Sequence, residues 1–260
     1  MTARVELLYP LMWAFFCVLS RTAPLVTMMP PLRGSRVPMQ VKALIAIALA
    51  ASVTPLTLST AAALPSSVIL IAIALAGELL LGIFLGGVVL LLVTGVQMAA
   101  GVLASLASLD IAESADPSTN QSNTLLAQFF SWLTMAIFLA VGGHRELLRC
   151  CVESFEYYPA GAARPEEFWL LHTTQLLQQA AVVGLRIAAP AAAALVLANL
   201  ATALLGRTLP QLNIMAIGFN INVIALLWVL TATVGAAGWM MQDELLVWIE
   251  RADTMFRPGG

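Results

Sequence analysis

This sequence has little charge. Only 12 Lys and Arg and 14 Asp and Glu stand among 260 residues, 10% of the chain, where a soluble domain carries about 25%. Too little polar surface results to cover a globule in water, so the solvent for most of the chain is lipid or other apolar helices. The formal net charge is -2, and no basic patch is present that would hold nucleic acid. Histidine is nearly absent as well. His144 and His172 are the two, both in a stretch that reads as a polar loop, which excludes a Ser-His-Asp triad or an HExxH site by count and place. There is no Walker loop and no GxSxG elbow. The three cysteines, Cys17, Cys150 and Cys151, form no CxxC and no Cys/His spacing typical of zinc. They are expected to be reduced and structural. No catalytic residue, cofactor or metal is expected, and the chain reads as something other than an enzyme.

What the chain has in abundance is apolar sequence: 60% of it is hydrophobic, with a mean hydropathy of +0.92. A spanning helix needs about 20 mostly apolar residues. Six runs meet or approach that, at 5–29, 43–64, 67–106, 124–141, 176–205 and 214–241. The expected fold class is all-α, a multi-spanning membrane protein in a single membrane-embedded domain over 1–260. The first run contains Arg21 and continues into prolines with no small-residue exit before it, so it is expected as a retained helix rather than a cleaved signal. The third is long enough for more than one crossing. It must extend beyond the bilayer, tilt strongly or break, with Gly95 and Gly101 as its soft points.

The polar residues gather in connections. Residues 30–38 hold Pro30, Pro31 and Pro38, which stop one helix and forbid an early restart of the next. Residues 108–123 form a short acidic segment, and 142–174 carry most of the remaining charge. A short turn at 207–211 separates the fifth and sixth runs. The positive-inside rule does not orient this arrangement. Arg33, Arg36, Lys42 and Arg207 fall on one side of a six-span layout; Arg4, Arg145, Arg149, Arg164, Arg251 and Arg257 fall on the other. Either the span count differs from six, or packing against partner chains sets the final geometry.

Glu78 and Arg186 lie inside apolar runs, where a charge costs about 2.5–3.5 kcal/mol on insertion scales. They read either as a proton or ion relay, or as a structural contact between the two or with a neighbouring subunit. A relay needs a chain of acids or histidines, and one deep acid favours the structural reading. Gly82 and Gly86 form a GxxxG element, and Ala194, Ala198, Thr202 and Gly206 a small-residue stripe, both of which let helix backbones approach closely. The segment with Asp110, Glu113, Asp116, Pro117 and Asn120 is an ordinary solvated connection or a mobile gate. Residues 207–213 join two apolar helices with side chains able to cap them, and Pro190 is expected to kink the fifth helix unless it sits near an end.

Several of these residues, in this order, resemble the FliR family of the flagellar export apparatus and its counterpart in injectisomes. Arg21-Thr22-Ala23-Pro24, Pro31 to Pro38 and Val41-Lys42 look like the family's first helix and connection. Glu78 to Gly86 resembles its third helix, and Asp116-Pro117 sits where the family has its plug loop. Gly142-Gly143-His144, with Ser154-Phe155 and Pro159, is similar to the segment after its fourth helix. The last third is the most specific: Pro190, Asn199, Arg207, Pro210, Gln211, Leu212, Asn213, Ile217, Gly218 and Phe219. The likeness runs from about Arg21 to Leu230. It departs at Asn220, where the family commonly has proline, and at Leu106-Ala107-Ser108, where the family has Gln and Gly before the plug.

The resemblance implies a structural and gating subunit of a type III export channel. Such a chain assembles with FliP-type and FliQ-type subunits, and with the FlhB-type switch protein, in the inner membrane at the flagellar basal body. The pore so formed passes unfolded flagellar proteins. It also implies that 107–122 partly blocks the resting pore, and that the helices stand as tilted hairpins in a helical assembly. Arg21, Glu78, Arg186 and Asn199 are expected as intramembrane polar or assembly residues. The alternatives are an injectisome gate subunit and a stand-alone secondary transporter; the latter would need an internal repeat and paired broken helices. An intramembrane enzyme would need a nucleophile and base that the chain lacks.

Overall fold

The computed structural model describes residues 2–33, 37–107, 125–163, 167–208, 218, 220–229, 231, 239, 243, 244 and 247, and their side chains except at 2–8, 125, 126 and 167–172. Every regular element among them is helical. These are α1 (Thr2–Met28), a 3-10 turn (Pro30–Leu32), α2 (Met39–Thr57), α3 (Val68–Leu106), α4 (Leu125–Ala140), α5 (Gly143–Tyr157), α6 (Glu167–Thr208) and α7 (Asn220–Val229). Four helices are long and apolar enough to cross a membrane, or five if α4 and α5 count as one broken span. The protein is an all-α, multi-span membrane protein. Of the sixth expected run, α7 is the principal described part.

The helices form because apolar runs in lipid must satisfy their own backbone groups, and a helix does so within one segment. α2 shows the consequence. It is apolar all round, yet only Ala46, Ala50, Val53, Thr54 and Thr57 are buried, a stripe at helical spacing. The opposite face leaves Leu44, Ile47 and Leu56 exposed, which water would penalise. Thr54 hides its hydroxyl by donating to the Ala50 carbonyl at 2.6 Å.

Of the three alternatives for the third run, the structure excludes a break at Gly95 or Gly101: α3 is continuous for 39 residues, about 58 Å at 1.5 Å per residue. One expectation is corrected. Residues 142–174 are not a connecting loop. They contain α5 and the start of α6, so His144 and His172 both stand on helices. α5 was overlooked because it is amphipathic rather than apolar. Leu147, Cys150, Cys151, Ser154 and Phe155 are its buried side, at the spacing that one face of a helix requires, while Arg145, Arg149 and Glu156 are exposed. Gly142, at φ 79°, supplies the left-handed residue that precedes it. Pro190 lies inside α6 without ending it.

By its contacts the chain divides into two compact units: 1–91 with 139–176 and 245–260, and 92–138 with 177–244. In the first, α1 packs against α2 and, through glycines, against α3. In the second, α3 and α6 meet at glycines. A side chain at Gly95 would strike the Ala180 carbonyl, and one at Gly184 the carbonyl of Gly95. Those two positions are the close approach of that unit.

Candidate functional site

The first unit is organised around one arginine. Arg21 projects from α1 and is fully buried, as is Glu78 on α3. Arg21 Nε donates to Glu78 Oε2 at 2.6 Å. Its Nη1 donates to Ser154 Oγ at 2.8 Å, and its Nη2 to the Tyr158 carbonyl at 2.8 Å. The guanidinium carbon lies 3.7 Å from the centroid of the Phe155 ring, a cation–π contact strengthened by the absence of water. Glu78 uses its other oxygen to accept from the Gly161 backbone N–H at 2.8 Å. Ser154 Oγ in turn donates a hydrogen bond to the Cys151 carbonyl at 2.7 Å. Each charged group is thus met by the other and by further hydrogen bonds, the condition under which a buried ion pair is tolerable.

The surroundings hold that network in place. Gly82 lies against α1 so closely that a Cβ there would fall on the Arg21 carbonyl oxygen and the Pro24 ring. A Cβ at Gly86 would come within 2.9 Å of Met28. The helix bearing Glu78 can approach the helix bearing Arg21 only because those two positions lack side chains. Gly161, at φ 87°, turns its N–H onto Glu78, and a Cβ on it would meet the Trp13 indole at 3.1 Å. Trp13 in turn donates from Nε1 to the Ala62 carbonyl at 3.1 Å, and Ala62 N donates to the Ala160 carbonyl at 2.8 Å. The segment after α2 and the segment after α5 are thereby tied to α1 beside the ion pair. Cys17, Cys150 and Cys151 are buried, and none of them is in a disulfide. No group of three metal-ligating side chains gathers among the described residues.

Other expected residues are elsewhere. Glu78 is paired with Arg21, and Arg186 is not part of that cluster. The Arg186 side chain is 64% exposed and stands 3.7 Å from Glu244. In the second unit Asn199 Nδ2 donates to the Leu106 carbonyl at 3.0 Å, and Asn222 Nδ2 donates to Asn199 Oδ1 at 2.6 Å. Asn222 is buried, with no described partner for its own Oδ1. Gly218 lies beside Thr202; a Cβ there would come within 2.9 Å of the threonine methyl. Arg207 is exposed in the last turn of α6. Asp110, Glu113, Asp116, Pro117 and Asn120 lie outside the described residues, as do Pro210, Gln211, Asn213 and Phe219. Reading the sequence for stranded charges found Glu78 and Arg186, and the family resemblance added Arg21 and Ser154; neither found Tyr158 or Gly161. Both of those act through backbone atoms, which leave no side-chain signal.

Residues 12–246 match the family described as bacterial export proteins, family 1. Among curated proteins the chain is similar to the flagellar biosynthetic protein FliR of Caulobacter vibrioides, 26% identical over 227 residues, covering 87% of this chain and 90% of that one. It is 28% identical to the protein of the same name from Escherichia coli over 213 residues, 80% and 79% of the two chains. The Bacillus subtilis protein of that name is 28% identical over 149 residues, 56% and 58%. The matched stretch takes in α1 with Arg21, α3 with Glu78 and α5 with Ser154 alike, and the chain belongs to the bacterial export proteins, family 1, the family of the FliR proteins.

Proposed function

We propose that this protein is a structural and gating subunit of the flagellar type III export channel in the bacterial inner membrane. It assembles with FliP-type and FliQ-type subunits, and with an FlhB-type switch protein, around a pore for unfolded flagellar proteins at the basal body. The observation that carries this is the family match over 12–246, together with relatives that bear the name flagellar biosynthetic protein FliR over most of their length. Those names favour the flagellar over the injectisome reading. Exposed apolar side chains on α2 and α3, such as Leu56, Val68 and Ile69, suit a chain surrounded by lipid and sister subunits. Co-expression with the two small hydrophobic partners and purification on a tag placed on this chain should recover all three. A chain that purifies alone and moves a small solute in liposomes would instead be a transporter.

In this proposal 107–122 occludes the pore at rest and withdraws when substrate arrives. Its acidic, turn-forming composition between two apolar helices supports that role. Deleting 107–122 should raise leak conductance in cells; an unchanged leak sinks the idea. Glu78 and Arg186 serve assembly rather than proton transfer; for Glu78 the support is that each carboxylate oxygen already accepts a hydrogen bond, Oε2 from Arg21 and Oε1 from the Gly161 N–H. A Glu78→Gln chain that still assembles but loses export driven by the proton gradient would show otherwise.

A further inference from the structure

α3 ends without a stop signal of its own. Helices commonly close on a left-handed glycine, but Ala107 and Ser108 follow Leu106, and the next glycine in the chain is Gly142. The last carbonyls of a helix have no partner within it, and this end is enclosed, with Leu103, Ala104 and Ala107 buried. The Leu106 carbonyl is met from 93 positions away, by Asn199 Nδ2 at 3.0 Å. Asn199 stands on α6, so a tertiary contact rather than local sequence caps α3. A second amide sets the first. Asn222 on α7 donates to Asn199 Oδ1 at 2.6 Å. With that oxygen engaged, Asn199 turns its NH2 to Leu106; the flipped amide would set oxygen against oxygen there and NH2 against NH2 at Asn222. Asn222 is 2% exposed, and its own Oδ1 has no described partner. Burying an unmet acceptor is costly, and what Asn222 secures in this position is the orientation of Asn199. Gly218, four residues before Asn222, lets α7 approach: a Cβ on it would come within 2.9 Å of the Thr202 methyl on α6.

We propose that Asn199 and Asn222 are positioning residues for the export gate: together they fix the point at which the chain leaves α3 and enters 107–122. This rests on the reading above, that 107–122 occludes the resting pore, and adds what holds its α3 end. Both amides act through the Leu106 carbonyl, and no contact with an export substrate is asked of them. The strength of the hold suits a reversible device. A buried ion pair such as Arg21–Glu78 strands a charge when it parts. Two hydrogen bonds between neutral groups do not, and such bonds between membrane helices are individually weak. Thr202, one turn along α6, is not part of the device, because its hydroxyl donates to the Ala198 carbonyl of its own helix.

Leak conductance in cells carrying the full assembly tests it, with co-purification of the two small partners as the check on assembly. Leak follows the fraction of chains in the displaced state while that fraction is small. Asn222→Leu loses one bond and should raise leak about threefold; Asn199→Leu loses both and should raise it about sevenfold. Asn222→Leu carries the comparison should Asn199→Leu fail to assemble, since it leaves the Leu106 bond in place. Thr202→Val removes a hydroxyl bonded only within α6 and should leave leak unchanged. The decisive arm places Asn199→Leu in a chain lacking 107–122. There it should add nothing, because the segment it acts through is gone, whereas a residue that merely supports packing would still add leak. Leak that rises on deletion but in neither asparagine variant overturns the proposal and leaves the occluding segment standing. So does a rise from Asn199→Leu that persists in the deleted chain, or an equal rise from Thr202→Val. A deletion without leak overturns the occluding reading itself, and this proposal with it.

Discussion

Two of this protein's Arg–Glu pairs, Arg21–Glu78 and Arg186–Glu244, differ in almost every respect that matters. In the Arg21–Glu78 pair the partners are 2.6 Å apart and both fully buried. In the Arg186–Glu244 pair they are 3.7 Å apart, with Arg186 64% and Glu244 23% exposed. The first is enclosed by Ser154, the Tyr158 carbonyl, Phe155 and the Gly161 N–H; the second is partly open to its surroundings. Burial, and not the identity of the residues, decides what such a pair is worth. An enclosed pair gains little over an apolar substitute, yet losing one partner strands the other where nothing solvates it.

The largest expected effect breaks the enclosed pair. Arg21→Met leaves Glu78 ionised without its partner, or forces a proton onto it, and should cost about 3–5 kcal/mol. Glu78→Gln, which keeps one acceptor for Arg21 and is nearly isosteric, should cost less. The measure is reversible unfolding in detergent, or the amount of intact chain in membranes. A double Arg21→Met, Glu78→Met chain more stable than either single variant would show that isolation of the charge is what destabilises. Equal losses in all three would place the cost in packing around Phe155 instead.

Next comes the approach that lets the pair form. Gly82→Ala puts a methyl where the Arg21 carbonyl and the Pro24 ring already stand. Because backbone cannot swing aside, α3 must move, at about 1–3 kcal/mol or more for such overpacking. Gly87→Ala has nothing within 4 Å of its new carbon and should be neutral or slightly stabilising, since alanine favours a helix over glycine. Thermal aggregation of the two variants side by side reads the difference. Equal midpoints would mean that α1 and α3 do not touch at Gly82.

A smaller effect is expected in the second unit, where neutral amides take the place of charges. Asn222→Leu removes the donor to Asn199 Oδ1, but it also removes a buried oxygen with no described partner. Hydrogen bonds between membrane helices average about 0.6 kcal/mol and reach about 1.7, so the net loss should stay under about 1 kcal/mol. Asn199→Leu, which leaves the Leu106 carbonyl without its donor as well, should cost more than Asn222→Leu. The reverse order would indicate that the Leu106 bond contributes nothing.

How much of this was legible beforehand follows from what sets each feature. Spanning helices were readable because a lipid core demands an unbroken apolar run, and α1, α2, α3 and α6 supply one. α5 was lost to the same criterion: its burial follows one face, Leu147 to Phe155, and a search for apolar runs passes over a half-polar helix. Stranded charge marked Glu78 and Arg186, and the family resemblance marked Arg21. Neither could join Arg21 to Glu78, since 57 positions separate them and Arg186 offered itself as the partner instead. Gly82 and Gly86 announced close packing, but their partner is α1, a fact that pairwise geometry alone supplies.

The smallest effect is expected at Arg186, and its size decides between two environments for the second pair. At 3.7 Å, two unit charges in water attract by about 1 kcal/mol, and the freezing of an exposed arginine side chain offsets much of that; exposed pairs commonly contribute about 0–1 kcal/mol. Arg186→Gln should therefore leave stability within about 0.5 kcal/mol, by the same unfolding measurement. A loss as large as that of Arg21→Met would mean that Arg186 is desolvated, with Glu244 stranded by its removal. In that case the contrast between the two pairs is one of distance alone.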